Sequence, residues 1–182
     1  PRRELAMCEQ HGRALANAVE TALQTFSRPV GGALSLALDE VTLEFADPPN
    51  REQLEKEAQS NNKWERRHAE LLLSELESTG TICNTYQVPV QFVRFGTDLI
   101  LVALPGEVVV DYSHRLKAEF AGPAVWVAGY SNDVFGYLPS LKVLREGGDE
   151  GGGAMRYTSF PGHLAHSIAK SLFVRVHERA KE

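Results

Sequence analysis

Apolar residues recur along this chain at two spacings, which predict helices packed on a β-sheet. Over residues 2–26 they fall three or four positions apart, the spacing of an amphipathic helix. Residues 34–45 alternate instead, which predicts a strand. The apolar positions are even-numbered up to Leu38 and odd-numbered from Val41, so the charged pair Asp39-Glu40 between them predicts a bend or bulge.

Helical and extended patterns continue through the middle and the end of the chain. The run Asp47-Pro48-Pro49-Asn50 predicts a stop and a helix cap, and residues 51–79 predict a solvated helical hairpin or bent helix over the sheet. Residues 86–95 predict a strand in which Pro89 favours an edge position or a bulge. A turn at 96–98 predicts a hairpin into the next strand. A last helix is expected from about 162 to 180.

The most informative segment is the strand predicted at 99–104 with the residues that follow it. Pro105-Gly106-Glu107 ends the strand, and a helical pattern continues to 120, which places Glu107 at a strand end and in the first turn of a helix. Residues 124–129 predict a second buried strand. Because a helical crossover joins parallel neighbours, Glu107 and the 130–137 turn are expected on one rim of the sheet. The predicted fold class is α/β (mixed α+β), with helices packed on a mixed sheet.

Each candidate residue also has an ordinary structural interpretation. Glu107 could cap the predicted helix, because a carboxylate is favourable at a helix start, and Tyr137 could be a packed ring. The glycine-rich segment 147–153 could be a plain flexible loop, or a place where the backbone approaches something closely or opens and closes. His163 and His166 would share a face of the last helix, but two imidazoles are weak evidence for a metal site.

Composition excludes several functional classes. The 182 residues carry a formal charge of −5 without a basic stripe, which argues against nucleic-acid binding. No apolar stretch has the length of a membrane span. Cys8 and Cys83 are too few and too far apart for a disulfide framework or a thiolate metal site. The first residue, Pro1, indicates a processed or truncated amino terminus.

The order of short motifs resembles the neutral/alkaline non-lysosomal ceramidase family, most closely its shorter bacterial members. The matching pieces are Pro105-Gly106-Glu107, Ala128-Gly129-Tyr130-Ser131-Asn132, the turn that contains Tyr137, and the glycine-rich segment 147–153. The first helix, with Glu9-Gln10-His11-Gly12-Arg13, is similar to the one that follows the glycine-rich active-site segment of the family. The resemblance covers most of the chain and is strongest over 99–160.

That resemblance implies a zinc amidohydrolase that splits the N-acyl bond of ceramide-like lipids. Its zinc ligands would include Glu107 and Tyr137, while two His, the catalytic Ser and an Arg would precede Pro1. This chain would then be the carboxyl-terminal half of a catalytic domain, 1–182 forming a single unit that is inactive in isolation and carries no catalytic residue itself. The expected partner is the amino-terminal half of the same protein, or a second copy. The family further implies a secreted or periplasmic protein of sphingolipid metabolism.

Asn132, Asp149 and Glu150 are the expected substrate-binding or supporting residues. Asp149 occupies a position where the family carries a Tyr near the reacting carbonyl, so a carboxylate replaces a hydroxyl there. Ceramide itself is therefore a narrower expectation than hydrolysis of an N-acyl amide. Two alternatives stay open: a non-catalytic ceramidase-like module that binds a ligand or partner through its glycine loop, and an unrelated α/β domain in which Glu107 only caps a helix.

Overall fold

The computed structural model describes residues 4–181. The chain divides into two units, Pro1–Gly31 and Gly32–Glu182. The first unit contains helix α1, Leu5–Gln24, which confirms the helix predicted over 2–26, although it begins after Glu4 and ends two residues early. Residues 2 and 3 of that prediction lie outside the described residues. Its apolar residues form a stripe because they recur at the helical period.

Helices and strands alternate along the second unit. In chain order they are β1 (Leu34–Glu44), α2 (Arg51–Glu57), α3 (Lys63–Thr79), β2 (Thr85–Phe95), β3 (Leu99–Ala103), β4 (Glu107–Val108), α4 (Val110–Glu119), β5 (Ala124–Ala128), β6 (Tyr137–Leu138), α5 (Leu141–Glu146), a 3-10 turn (Gly153–Tyr157) and α6 (Ile168–Ala180).

Four of these strands form a mixed sheet in the order β1-β2-β3-β5. The first two pairings are antiparallel, and β3 and β5 run parallel, joined through α4. The expected α/β fold with a mixed sheet is therefore present, as are the hairpin at 96–98 and the parallel neighbours. Strands β4 and β6 form a separate two-stranded parallel ladder.

The bend predicted at Asp39 is wrong. Strand β1 pairs with β2 at all eleven of its positions, so it runs through Asp39 without a bulge. Asp39 lies on the face that α6 covers, and its carboxylate accepts two hydrogen bonds from Arg179 at 2.6 and 2.7 Å. A charge can occupy this face because the guanidinium of α6 neutralises it.

The edge position predicted from Pro89 is also wrong for the strand as a whole. Strand β2 lies between β1 and β3. Pro89 pairs with Glu40 of β1, whereas the pairing with β3 begins only at Gln91. The missing N–H of proline is tolerated because Pro89 lies where β2 has a neighbour on one side only.

Residues 51–79 form the expected helical hairpin. Asn50 caps α2 through a capping box, in which its side chain accepts from the Gln53 N–H and the Gln53 side chain accepts from the Asn50 N–H. Leu54, Ala69 and Leu72 form a small buried cluster between α2 and α3. This cluster is separate from the main core.

The last helix begins at Ile168, six residues later than predicted. The preceding segment is extended because it pairs with the end of β1: Phe45 bridges Leu164, the Ala46 N–H donates to the His163 carbonyl, and the Ala165 N–H donates to the Glu44 carbonyl. His163 and His166 therefore precede the helix, so the prediction that they share one of its faces is wrong.

The two faces of the main sheet differ. One face packs against α4 and α6, and this core contains Tyr112 and Leu116 of α4 and Ile168, Leu172 and Val176 of α6. On the other face, which we call the outer face, Leu36, Val93, Leu101 and Trp126 lie in register across all four strands. Leu36 and Trp126 are 63% and 67% exposed. No helix within residues 4–181 combines the length and hydropathy that a bilayer crossing requires.

Candidate functional site

Glu107 does not lie in a helix, contrary to the sequence prediction. It occupies the first position of β4, and α4 begins only at Val110, with Val109 as its N-cap residue. The Glu107 N–H donates to the carbonyl of Gly136 at 2.8 Å. The interpretation of Glu107 as a helix cap is therefore wrong, because the pairing with β6 keeps the chain extended for two residues before the helix starts.

The same pairing brings Glu107 and Tyr137 together. In the parallel ladder of β4 and β6, Glu107 is opposite Tyr137, and Val108 is opposite Leu138. Paired residues of parallel strands lie about 4.8 Å apart and project their side chains to the same side. The carboxylate and the phenol are thus neighbours, as the expectation of a shared rim requires.

Gly106 makes this ladder possible. Its φ is +68°, and a Cβ atom at this position would lie only 2.5 Å from the carbonyl oxygen of Gly136. Any other residue would clash with the backbone just before β6, and its own backbone would be strained at this positive φ. The sequence Pro105-Gly106-Glu107 therefore contains the one residue type that lets β4 approach the segment leading to β6.

The turn after β5 is tied to the same strand end. The Tyr130 N–H donates to the Gly106 carbonyl at 2.7 Å, and the Gly106 N–H donates to the Asp133 carbonyl at 2.8 Å. The Asp133 carboxylate also accepts a hydrogen bond from the Tyr86 hydroxyl at 3.0 Å. These bonds fix the turn against the residue that precedes Glu107.

Negative charge dominates the electrostatics of this site. A hydrogen bond to Glu107 raises the pKa of Tyr130 to about 12. The pKa of Tyr137 is also raised, chiefly by the charge of Glu107, with smaller contributions from burial and from the charges of Glu150 and Asp149. Among the described residues, no Lys, Arg or His forms an ion pair with Glu107. An arrangement of this kind would favour a cation at this rim over an anion.

The remaining predicted residues, Asn132, Asp149 and Glu150, differ in how they relate to the Glu107–Tyr137 pair. Asp149 and Glu150 are exposed residues of the glycine-rich segment, close enough to act on Tyr137 electrostatically. Asn132 is exposed, and its side-chain amide donates to the Gln91 carboxamide oxygen at 3.2 Å. Asn132 therefore braces the turn against β2 in this structure.

The glycine-rich segment is folded closely on itself. The Gly153 N–H donates to the Gly148 carbonyl at 2.9 Å, and a Cβ atom on Gly151 would lie 2.5 Å from the Gly147 carbonyl oxygen. A Cβ atom on Gly152 would lie 2.4 Å from the Cβ of His163. Several of its glycines are thus required by close backbone approach, which is one of the two interpretations that the sequence allowed.

The Glu107 rim offers a partial donor set for a metal ion. Within residues 4–181, no three His, Cys, Asp or Glu side chains are arranged to hold a metal. Glu107 and Tyr137 nevertheless supply two adjacent oxygen donors in an acidic setting, which suits a divalent cation completed by other ligands. The donor chemistry therefore fits zinc, with two positions of a tetrahedral site supplied from this chain.

The sequence predicts no individual role for one member of the site, and it does not reveal one cavity. Tyr130 belongs to the 130–137 turn that is expected on the shared rim, but nothing in the local pattern sets it apart from its neighbours. A cavity of about 570 Å³ lies elsewhere, lined among others by Glu57, Glu65, His68 and Arg156. Its walls come from segments far apart in sequence, so no local motif could reveal it.

Comparison of the sequence with protein-family models and with curated proteins finds no match.

Proposed function

We propose that this chain supplies Glu107 and Tyr137 to the zinc site of a ceramidase-like amidohydrolase. The observation that carries the proposal is their pairing in the β4–β6 ladder, which places a carboxylate beside a phenol. The excess of carboxylates around them favours a cation at this point. Two His from residues preceding Pro1 would complete the ligand set, so the chain alone would be inactive.

Zinc at this site would polarise the amide carbonyl and lower the pKa of bound water. The residues of this chain would hold the zinc ion and fix its position. Glu107 would contribute its carboxylate, and Tyr137 would contribute its hydroxyl oxygen, whose pKa the charge of Glu107 raises. Gly106 and the 130–133 turn would fix the distance between these donors.

The proposed substrate is an N-acyl amide, with ceramide as one member of that class. Asp149 acts electrostatically on Tyr137 and so lies near the proposed reaction centre. A carboxylate there would repel the negative charge that develops on the amide oxygen during hydrolysis. This repulsion favours the broader substrate class over ceramide alone.

The outer face of the sheet supports the proposal that the amino-terminal half packs beside this chain. Its residues Leu36, Leu38 and Trp126 are each more than 60% exposed, whereas the opposite face is buried. Ala103 and Ala128 of the same face lie at the strand ends that lead to the site. A segment that supplies two zinc ligands would have to lie next to these strand ends.

Light scattering tests whether the amino-terminal half packs on the outer face of the sheet. We expect the 182-residue chain alone to self-associate, and to become monomeric when Leu36 is replaced by Glu or when the preceding half is present. A well-behaved monomer without the preceding half would contradict the proposal. A dimer that persists in the presence of that half would identify a second copy as the occupant of the outer face.

Hydrolysis assays test the reaction. The protein with its preceding residues, loaded with zinc, is assayed against ceramides and short soluble N-acyl amides, alongside Glu107→Ala and Asp149→Tyr. We expect N-acyl cleavage that Glu107→Ala abolishes and ceramide cleavage that Asp149→Tyr improves. If the unsubstituted protein is stable, metal-free and inactive, the result would favour the non-catalytic module. The observation that supports this alternative is Asp149, a carboxylate where the family carries a hydroxyl.

A further inference from the structure

Tyr130 has an unusual backbone conformation. Its φ is 52°, and within residues 4–181 the only other non-glycine residue with a positive φ is Asn132, at 65°. Asparagine adopts the left-handed region readily, but an aromatic residue does so only when its surroundings enforce it. Strain of this kind is concentrated at functional sites.

The turn fixes Tyr130 beside Glu107 through backbone bonds. The Tyr130 N–H donates to the Gly106 carbonyl at 2.7 Å, and the Ser131 N–H donates to the Leu104 carbonyl at 3.1 Å. The Ser131 hydroxyl closes the turn by donating to the Gly129 carbonyl at 3.1 Å. Residue 130 is therefore held against the end of the strand from which Glu107 emerges.

Packing of the ring does not account for this placement. The Tyr130 residue is 57% exposed, so little apolar surface is removed from water by its position. Its hydroxyl, in contrast, lies close enough to the Glu107 carboxylate for that group to raise the pKa of Tyr130 to about 12. The feature that a strained tyrosine supplies, and that an unstrained glycine or asparagine would not, is this hydroxyl.

We propose that Tyr130 is a positioning residue, which holds the Glu107 carboxylate in the orientation that binds the cation; this inference rests on the proposed function. Carboxylates that ligate metals are commonly held by a further hydrogen bond, which restricts their rotation before the metal arrives. Tyr130 acts through Glu107 and is not itself a ligand.

Zinc affinity and thermal stability of three variants test this role in the protein that includes the residues before Pro1. The variants are Tyr130→Phe, Tyr130→Asn and the control Tyr157→Phe, which changes another half-exposed tyrosine. Zinc dissociation is measured by competition with a chelating dye. We expect Tyr130→Phe to weaken zinc binding by about ten- to a hundredfold, with an unchanged melting temperature of the zinc-free protein.

Tyr130→Asn is expected to weaken zinc binding equally while raising that melting temperature, since asparagine tolerates the left-handed backbone. Tyr157→Phe is expected to change neither quantity. Wild-type zinc affinity in Tyr130→Phe would overturn the positioning role, as would a lowered melting temperature without a change in affinity. Glu107→Gln separates this inference from the proposed function. If both Tyr130→Phe and Glu107→Gln bind zinc as tightly as the wild type, the proposed zinc site itself is refuted. If only Glu107→Gln loses zinc, the positioning role of Tyr130 alone is refuted.

Discussion

Two carboxylates of the second unit, Asp39 and Glu107, are held in opposite ways. Asp39 lies in the middle of a long regular strand, and Arg179 neutralises it through two hydrogen bonds. Glu107 lies in a strand of two residues, beside two tyrosines and near two further carboxylates. Asp39 is positioned by a charge, whereas Glu107 is positioned by backbone geometry.

The difference separates a structural carboxylate from the one that we propose is functional. A charge that is paired within the fold stabilises the fold and is unavailable to a ligand. A charge surrounded by hydroxyl groups and like charges adds little stability, but it attracts a cation. The pKa values agree: that of Asp39 is lowered, chiefly by its hydrogen bond to Arg179, whereas Glu107 raises the pKa of its tyrosine neighbours.

The largest effect is expected from breaking the backbone geometry. Gly106→Ala would bring a Cβ atom against the Gly136 carbonyl at a φ of +68°, so we expect a loss of about 3 kcal/mol in the free energy of unfolding. Gly80→Ala is the matched control, with a φ of +80° and open space around the new atom. This control should lower the free energy of unfolding by only about 1 kcal/mol. Equal losses in urea unfolding would show that the approach of β4 to the segment before β6 is not tight.

The next effect comes from removing the structural charge. Asp39→Asn weakens the pair with Arg179, in which the side chains are 15% and 28% exposed, and should cost about 1–2 kcal/mol. Glu55→Gln is the control, because its pair with Arg51 is exposed at 59% and 49%. We expect that control to change stability by less than about 0.5 kcal/mol. A similar loss in both variants would refute the structural role of Asp39.

Acid should reproduce the Asp39 effect in the unsubstituted protein. Because the folded pKa of Asp39 lies below its ordinary value of 3.8, its contribution is complete above that value and is lost as the pH falls through the folded pKa. Unfolding free energies of wild type and Asp39→Asn should therefore converge as the pH falls below 3.8 and through the folded pKa of Asp39. A difference that stays constant over this range would argue against the charge pair.

The smallest effect on stability is expected at the functional carboxylate. Glu107→Gln keeps an oxygen that can accept a hydrogen bond, and it removes one negative charge from an acidic rim. The free energy of unfolding without metal should change by less than about 0.5 kcal/mol, with a gain rather than a loss. Destabilisation like that of Asp39→Asn would place Glu107 among the structural charges and remove the contrast.

The sequence predicted the sheet well because its signals there are local. The parallel strands flanking α4 were recognisable from apolar runs of strand length bounded by Pro and Gly. The shared rim of Glu107 and Tyr137 followed from that topology. The hairpin of α2 and α3 followed in the same way from the cap at Asn50.

The failures arise where a distant partner decides the local structure. Asp39 predicted a bend because its partner, Arg179, is 140 residues away. Glu107 was assigned to a helix because the two-residue ladder with Tyr137 leaves no periodic pattern. The predicted start of α6 is too early because residues 163–165 pair with the end of β1. The sequence predicts no individual role for Tyr130 because its contact with Glu107 depends on the folded turn.

The central claim is that Glu107 and Tyr137 bind the same zinc ion. Its most direct test is an anomalous difference map, recorded at the zinc edge, from crystals of the protein with its preceding residues. We predict one peak within about 2.0–2.2 Å of a Glu107 carboxylate oxygen and of the Tyr137 hydroxyl oxygen, absent in Glu107→Ala. A zinc peak bound elsewhere, or two oxygens too far apart to share one ion, would contradict the account.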